Sequence, residues 1–211
     1  MSRAVVIIPA HNEAPRIASV IRSALGSTQV ARVLVVDDGS ADDTESVAKH
    51  AGAEVLRLVP NRGKGQAMLA GVRATQEPIV LFLDADLTGL TPGYVERLIR
   101  PVASGLCVMA VGLSEKEHVW AGLQEALPRI SGQRAVLRAV LQQVPESFWD
   151  GFRIEVGINR IANKFGRTCD VTLFGVGATP KWNKGNVGQG ILNSVRMIRE
   201  VIVAAAEAER L

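Results

Sequence analysis

Residues 78–87 read PIVLFLDADL, an apolar run that ends in two aspartates separated by one residue. Alternate residues of an extended chain point to the same side, so Asp84 and Asp86 are expected to lie side by side where a buried strand ends. Two carboxylates about 4 Å apart repel each other by roughly 4 kcal/mol at a surface-like effective dielectric constant. The sequence therefore predicts a cation or a donor-rich ligand here, and a hard divalent ion shared with a phosphate fits these oxygen ligands best.

Copies of the same pattern, an apolar strand followed by a polar turn and a helix, precede the aspartate pair. The predicted strands cover residues 4–9, 33–36, 54–59 and 79–83, and the predicted helices begin near residues 12, 42 and 66. Asn12 is the predicted N-cap of the first helix. Strands that alternate with helices predict an α/β fold, with a mostly parallel central sheet and helices on both faces.

The second half of the chain is less regular. Helices are predicted over residues 92–103, 132–141, 151–165 and from about 191 to the end, with strands over 106–111 and 168–174 and a loop rich in glycine and lysine over 175–190. No linker or repeat interrupts the chain. We therefore expect one domain, residues 1–211, whose first part (1–112) forms most of the sheet and whose second part (113–211) adds a C-terminal helical elaboration.

Composition excludes several classes of protein. The content of 47% hydrophobic and 21% charged residues is that of a globular rather than a disordered protein. The longest uncharged stretch, residues 102–114, is shorter than the roughly 18 residues of a membrane span. Cys107 and Cys169 have no ligand-like spacing and are expected to be free thiols in a reducing cytoplasm.

The net charge of +3 is unevenly distributed, because lysine and arginine outnumber the acids between residues 151 and 199. This surplus suggests an anionic partner, such as phosphate, a phospholipid surface or nucleic acid. A merely solvated basic face is the alternative. Nucleic acid is the least supported of these partners, because the segment lacks interleaved aromatic residues and any recognised binding module.

Polar segments follow the first four predicted strands, at residues 9–13, 37–40, 61–64 and 84–86. Ligands of parallel α/β sheets bind beyond the carboxyl ends of the strands, so these segments should meet in one crevice. Lys64, between Gly63 and Gly65 at a helix start, suits an anion there, although a solvated lysine in a flexible loop is the alternative. Asp38 is either a paired acceptor for an amide or imide edge or a cap for its own turn.

At this point the sequence resembles a known family. Residues 8–13 (IPAHNE), 35–44 (VVDDGSADDT), 61–65 (NRGKG) and 83–86 (LDAD) resemble, in order and spacing, the motif series of family 2 glycosyltransferases, which have the Rossmann-like GT-A fold. The resemblance implies a UDP- or GDP-sugar donor and a divalent cofactor, Mg²⁺ or Mn²⁺. Residues 1–112 would then be the nucleotide-sugar-binding half and residues 113–211 the acceptor-side half.

The resemblance also implies roles for individual residues of the donor half. The nucleoside would be held by the loop that contains Pro9, Ala10, Asn12 and Glu13, together with Asp38. Lys64 would approach the nucleotide or its phosphates. Asp84 would reach the ribose or the metal, and Asp86 would bind the metal directly and act in catalysis.

The second half resembles the family more loosely. Residues 131–134 (SGQR) resemble the Ser-Gly-x-Arg segment of polyprenyl-phosphate and phosphoglycerate glycosyltransferases, and residues 148–155 (FWDGFRIE) are similar to their Gly-aromatic-x-x-Glu helix start. The resemblance implies that Arg134 holds an acceptor phosphate, unless it forms a structural ion pair. It also implies that Asp150 or Glu155 serves as base or acceptor ligand. Trp182 is expected either at the acceptor or a membrane surface, or in ordinary packing.

One departure from the family concerns the metal. Several related enzymes place a downstream histidine near the ion, but this chain has none after His118, which leaves Asp86 as the strongest predicted ligand. A nucleotide-sugar-binding protein without turnover is therefore an alternative. A sugar-1-phosphate nucleotidyltransferase is a weaker one, because its Gly-Gly-x-Gly-Thr-Arg loop is replaced here by IPAHNE.

The expected partners are the nucleotide-sugar donor and a small or polyprenyl-phosphate-like acceptor, with no nucleic acid. The expected location is the cytoplasm, with peripheral contact at the inner face of the membrane as a second option. The sequence predicts no oligomeric state.

Overall fold

The computed structural model describes residues 3–114, 131–151 and 153–178, together with Val203 and Glu207. The strands in chain order are β1 (Ala4–Ala10), β2 (Val30–Asp37), β3 (Glu54–Arg57), β4 (Ile79–Phe82), β5 (Leu87–Thr88), β6 (Met109–Ser114), β7 (Arg134–Leu137), β8 (Thr168–Leu173) and β9 (Gly177–Ala178). The helices are α1 (Ile17–Leu25), α2 (Thr44–His50), α3 (Lys64–Arg73), α4 (Pro92–Ala103), α5 (Arg138–Leu141) and α6 (Arg153–Phe165).

The main sheet has seven strands in the order β3-β2-β1-β4-β7-β6-β8, and β5 pairs with β9 in a second, small sheet. β1 lies between β2 and β4 and is parallel to both. β7 is antiparallel to its neighbours β4 and β6, while β6 and β8 are parallel. The sheet is thus mostly parallel, and β7 is the strand that runs in the opposite direction.

Helices cover both faces of the sheet, as the strand pattern predicts. Consecutive residues of β1 alternate between two buried clusters, so that Val6 and Ile8 pack with α1 and α4, whereas Val5 and Ile7 pack with α3 and α6. Burial of such a side chain contributes roughly 1.5–3 kcal/mol, which is why strands buried on both faces are almost wholly apolar. The predicted α/β class with a mostly parallel sheet is confirmed.

Several local predictions are wrong, among them the strand over 106–111, which is found three residues later as β6. Residues 132–141 do not form one helix, because Ala135 and Val136 lie fully buried in β7, paired with β4 and β6, and only α5 is helical. A short apolar run suits strand or helix equally, and sheet pairing decides it. Asn12 does not cap α1, whose N-cap position is Arg16 without a side-chain bond. Asn12 instead adopts a φ of 56° and binds the next loop.

Some of the other predictions agree with the structure, and others fall on residues that the structure does not describe. Helix 92–103 is found as predicted, and Cys107 and Cys169 are free thiols. Trp182, most of the loop 175–190 and nearly all of the last helix lie outside the described residues. Within the described residues, no helix combines the length and apolar character needed to cross a bilayer. The division into halves at residue 112 stays a prediction.

Candidate functional site

The loops that follow β1, β2 and β3 contact one another at the carboxyl edge of the sheet. His11 Nδ1 lies 2.9 Å from the carbonyl oxygen of Asp38, to which Asn61 Nδ2 also donates at 2.9 Å. The amide N–H of Asn12 donates to Ser40 Oγ at 2.9 Å. The predicted convergence of these polar segments is therefore confirmed by direct bonds between them.

The Asp38 carboxylate fixes the start of α3. Its Oδ1 accepts from the amide of Arg62 at 2.7 Å and its Oδ2 from the amide of Gly63 at 2.8 Å. Gly63, with a φ of 87°, then places Lys64 as the first residue of the helix. Asp38 thus caps the loop before α3 and not its own turn, which Asp37 closes. Direct contact with a nucleoside stays a prediction, and the side chain is buried in this conformation.

Hydrogen bonds also hold the segment that contains Pro9 and Ala10, at the end of β1, and Glu13, in the loop after it. The carbonyl of Ala10 accepts from the amide of Asp38 at 2.8 Å, and Glu13 Oε2 accepts from Arg16 Nε at 2.9 Å. Glu13 and Ala10 are buried, and Pro9 is partly buried. His11 and Asn12 are the exposed residues of this loop, so they are the ones that face a ligand most readily. Nucleoside binding by Pro9, Ala10, Asn12 and Glu13 stays a prediction.

Lys64 joins the two halves of the chain. Its Nζ lies 2.9 Å from Asp84 Oδ1 and 3.3 Å from Glu155 Oε1. Burial alone disfavours the ammonium ion, but the two carboxylates outweigh it and raise the pKa of Lys64 above its ordinary value of 10.5. Lys64 therefore keeps its positive charge at neutral pH.

Glu155 is almost completely buried, with 2% of its surface exposed. Its Oε1 contacts Lys64, and no residue in the described part of the chain makes a hydrogen bond to its Oε2. A buried carboxylate oxygen without a partner costs free energy, so such atoms commonly mark places where a ligand or water binds. Glu155 thus lies where the predicted acceptor side meets Lys64.

The Asp84 carboxylate is held on its other side by the segment that precedes β7. Gln133 Nε2 donates to Asp84 Oδ2 at 2.8 Å. A Cβ atom on Gly132 would lie 2.2 Å from the same oxygen, so only glycine leaves room for the carboxylate in this position. The resemblance assigned the segment 131–134 to the acceptor, but the structure places it against a residue of the donor half.

Arg134 is fully buried, at 0% exposure. Its guanidinium donates to the carbonyl of Ser131 at 3.0 Å, to the carbonyl of Glu155 at 3.4 Å and to Asn159 Oδ1 at 3.1 Å. Burial lowers the pKa of Arg134 below its ordinary value, an effect that nearby Glu155 and Asp84 oppose. The structure favours the structural role, in which Arg134 positions this segment and α6. Direct contact with an acceptor phosphate stays a prediction.

Asp84 and Asp86 lie in the turn between β4 and β5. The strand ends at Phe82 and a turn includes Ala85 and Asp86, so the predicted continuous strand is interrupted. The alternation survives nevertheless, because both aspartates are partly exposed while Ala85 between them is buried. After the turn, β5 pairs with β9, in the register Leu87 with Ala178.

This turn fits a divalent cation. Mg²⁺ in phosphate-handling sites is commonly held by one or two carboxylates, with the other ligands supplied by substrate phosphates and water. Among the described residues, no group of three or more histidine, cysteine, aspartate or glutamate side chains is placed to hold a metal. Two partly exposed carboxylates at one turn are therefore the donor set that matches a phosphate-shared ion.

Asp150 lies on the same rim of the site. It is exposed, and its carbonyl accepts from the amide of Arg153 at the start of α6. The preceding carbonyl, of Trp149, accepts from Gln66 Nε2 at 2.8 Å. This segment packs so closely on Gly65, the residue after Lys64, that a Cβ atom there would lie 2.8 Å from the same carbonyl. The catalytic roles of Asp86, Asp150 and Glu155 stay predictions.

Three contributing residues were not among the predicted site residues. Asn61 and Gln133 act through contacts with Asp38 and Asp84 that are distant in sequence. Asp37 is buried at the end of β2, where its Oδ1 accepts from the amide of Ser40 at 2.9 Å. Only Asp37 had a usable signal, because an aspartate followed by Asp-Gly-Ser is typical of a turn closed by its own side chain.

Comparison with known proteins agrees with this geometry. Residues 5–154 match the family model described as Glycosyl transferase family 2. The chain belongs to glycosyl transferase family 2. The match includes the four strand-end segments, Gln133 and Arg134, and it ends next to Glu155.

Two relatives within glycosyl transferase family 2 show what this chain is similar to. Glucosyl-3-phosphoglycerate synthase from Mycobacterium tuberculosis is 32% identical over 191 residues, which cover 72% of this chain and 58% of that protein. Undecaprenyl-phosphate 4-deoxy-4-formamido-L-arabinose transferase from Pseudomonas aeruginosa is 27% identical over 190 residues, which cover 80% of this chain and 56% of that protein. The chain thus spans less than two thirds of either relative.

The fold of this family 2 chain also resembles solved structures. Glucosyl-3-phosphoglycerate synthase from Mycobacterium tuberculosis, solved in complex with Mn²⁺, uridine diphosphate and glucosyl-3-phosphoglycerate, superposes with a TM-score of 0.81 at 26% identity. The superposition covers 97% of this chain and 80% of that one. The structure therefore has the GT-A fold that the motif series predicts.

Proposed function

We propose that this chain transfers a sugar from a UDP- or GDP-sugar to a small or lipid-linked, phosphate-bearing acceptor, with Mn²⁺ or Mg²⁺ at the aspartate turn. The observation that carries the proposal is the position of Lys64, whose Nζ lies 2.9 Å from Asp84 at the point where the strand-end loops meet. A cation, two partly exposed carboxylates and a helix start at one sheet edge suit a diphosphate. The relative solved with Mn²⁺ and uridine diphosphate supports the same assignment.

On the donor side, Asp86 would hold the metal and Asp84 would contact the metal or the ribose. A bound divalent ion supplies positive charge that stabilises the leaving diphosphate where negative charge develops. Lys64 adds a second positive charge, and its position at the first residue of α3 places it beside the amide groups of the helix start. The exposed His11 and Asn12, with Asp38 behind them, would form the wall for the nucleoside.

On the acceptor side, the proton of the attacking hydroxyl needs a base. Of the two acids predicted for this role, Glu155 contacts Lys64, and the backbone of Asp150 packs on Gly65, the next residue of α3. Glu155 is the better candidate because one of its oxygens is buried without a partner among the described residues. Asp150 is the exposed alternative.

The names of two relatives suggest which acceptors to test first. One relative is named for 3-phosphoglycerate and the other for undecaprenyl phosphate, and both molecules carry a phosphate. We place the reaction in the cytoplasm, with peripheral contact at the inner face of the membrane if the acceptor is lipid-linked. These two acceptors are the first to be tested.

The experiment measures binding first, because binding can be detected before the acceptor is known. Thermal unfolding with UDP or GDP, with and without Mn²⁺, should show a metal-dependent rise of the midpoint in the parent, since a ligand that binds the native state stabilises it. Asp86→Ala should lose this rise, whereas Asp43→Ala, a matched change at an exposed aspartate of another loop, should keep it.

Equal metal-dependent stabilisation of Asp86→Ala and the parent would overturn the assignment of the turn. Transfer of radiolabelled sugar to 3-phosphoglycerate or to undecaprenyl phosphate then tests turnover. Metal-dependent binding with neither transfer to these two acceptors nor hydrolysis of the donor would favour a nucleotide-sugar-binding protein instead.

A further inference from the structure

We propose that Gln133 is a positioning residue for Asp84, and that it sets the direction in which this carboxylate meets the donor and its metal. The inference rests on the proposed function, because it gives Asp84 its task. It adds a residue to which the family resemblance assigned no role.

The contact between the two side chains is direct. Gln133 Nε2 donates to Asp84 Oδ2 at 2.8 Å, while Lys64 approaches the other oxygen, Oδ1, at 2.9 Å. A carboxylate accepts hydrogen bonds and cannot donate them, so the NH₂ group rather than the carbonyl of the amide must face Asp84. Gln133 and Lys64 therefore hold one oxygen each, which fixes the plane of the carboxylate.

The backbone around Gln133 is anchored on the sheet. The carbonyl of Gln133 accepts from the amide of Gly112 at 2.8 Å, and Ser131 Oγ donates to the carbonyl of Gly112 at 2.5 Å. Ser131 Oγ also lies 3.1 Å from Gln133 Oε1, on the side of the amide away from Asp84. A side chain that starts from such a fixed backbone can hold its partner in one orientation.

Gly132 makes the same carboxylate fit this segment. A Cβ atom there would lie 2.2 Å and 2.4 Å from the two oxygens of Asp84. Gly132 and Gln133 together are therefore shaped around Asp84, the first by leaving space and the second by supplying a donor.

The neutrality of the glutamine amide explains why it suits this position. Lys64 already brings one positive charge to Asp84, and an arginine or lysine in place of Gln133 would add a second and further weaken the attraction of this carboxylate for a divalent ion. The amide orients the carboxylate and leaves its charge in place. Partners of this kind, one step behind a metal ligand, typically change metal affinity or activity by about 10–100-fold when they are removed.

The test compares Gln133→Met, which keeps the length of the side chain and removes the donor, with Gln143→Met, the same change at an exposed glutamine. UDP affinity is measured by calorimetry at a fixed excess of Mn²⁺. Gln133→Met should weaken UDP binding by about 10-fold or more, with an unfolding midpoint within about 2 °C of the parent. Gln143→Met should bind UDP as the parent does.

A double-mutant cycle separates positioning from a general structural effect. In an Asp84→Asn background, Gln133→Met should weaken UDP binding further by less than about threefold, because the carboxylate that Gln133 orients is gone. The same loss in both backgrounds would overturn the proposal, and so would parent-like affinity of Gln133→Met when Asp84→Asn is impaired. A parent that binds neither UDP nor GDP with Mn²⁺ would instead overturn the proposed function, and a parent-like Asp84→Asn would overturn the role of Asp84.

Discussion

Arg32 and Lys64 are each shared by two carboxylates, and the two regions differ in how completely the groups are paired. Near the starts of β2, β3 and β4, Arg32 binds Glu77 through Nε at 2.7 Å and Glu54 through Nη1 at 2.8 Å. At the opposite edge of the sheet, Lys64 meets Asp84 at 2.9 Å and Glu155 at 3.3 Å through a single nitrogen.

The difference follows from the chemistry of the two cations. The guanidinium of Arg32 is a planar fork with separate N–H groups, so each carboxylate has its own nitrogen. The ammonium of Lys64 is a point charge, and both carboxylates contact its single nitrogen. Glu155 keeps one buried oxygen without a partner among the described residues. The same charges therefore give a closed structural cluster at one edge and an incomplete one, suited to a further ligand, at the other.

The largest expected effect comes from Lys64→Met. Glu155, at 2% exposure, would lose the cation beside it, and leaving a buried carboxylate without its cation costs about 3 kcal/mol of the free energy of unfolding. Arg32→Met is the matched change at the opposite edge, where the partly exposed cluster should lose about 1 kcal/mol or less. Urea unfolding of both variants measures the two costs, and equal costs would contradict the distinction between the edges.

An intermediate effect is expected for Gly132→Ala. The new methyl group would displace the Asp84 carboxylate and with it the Lys64 contact, and such overpacking costs about 2 kcal/mol. Gly93→Ala in α4 is the control, because the nearest atom there, Thr91 Oγ1, lies at an ordinary 3.8 Å. Urea unfolding measures both variants. If Gly132→Ala is as stable as the parent, the segment before β7 is free to move away from Asp84.

The smallest effect concerns acid stability at the Arg32 edge. The hydrogen bond from Arg32 lowers the pKa of Glu77 from its ordinary value of 4.5. A lowered pKa in the folded state stabilises the protein above the unfolded value, and this contribution is lost as the pH falls through the folded value. Glu77→Gln should therefore cost less than about 1 kcal/mol at pH 7 and should reduce the loss of stability below about pH 4.

Urea unfolding between pH 7 and pH 3 checks this sign. Glu146→Gln is the control, since Glu146 and its partner Arg73 form an exposed pair. An unchanged acid profile in Glu77→Gln would show that the cluster at this edge adds nothing measurable to stability.

The convergence of the strand-end segments could be predicted from the sequence because each segment is local. Each strand is followed at once by its polar segment, and parallel pairing brings those segments to one edge. β7 could not be predicted in this way, since Ala135 and Val136 become a strand only through pairing with β4 and β6. The contacts of Lys64 with Glu155 and of Gln133 with Asp84 join residues distant in sequence, and no periodicity reports them. The prediction that Asn12 is the N-cap of α1 is wrong because asparagine, a good capping residue, also suits a loop position with positive φ.

The reversed direction of β7 has a consequence for how this chain can change during evolution. If the strand in that place were parallel, its C-terminal end would lie at the site, and the loop after it could vary freely. β7 offers its first residues instead, and Gly132 and Gln133 already contact Asp84. Mutations in residues 131–134 would therefore also disturb Asp84, which leaves few positions in this segment free to diverge.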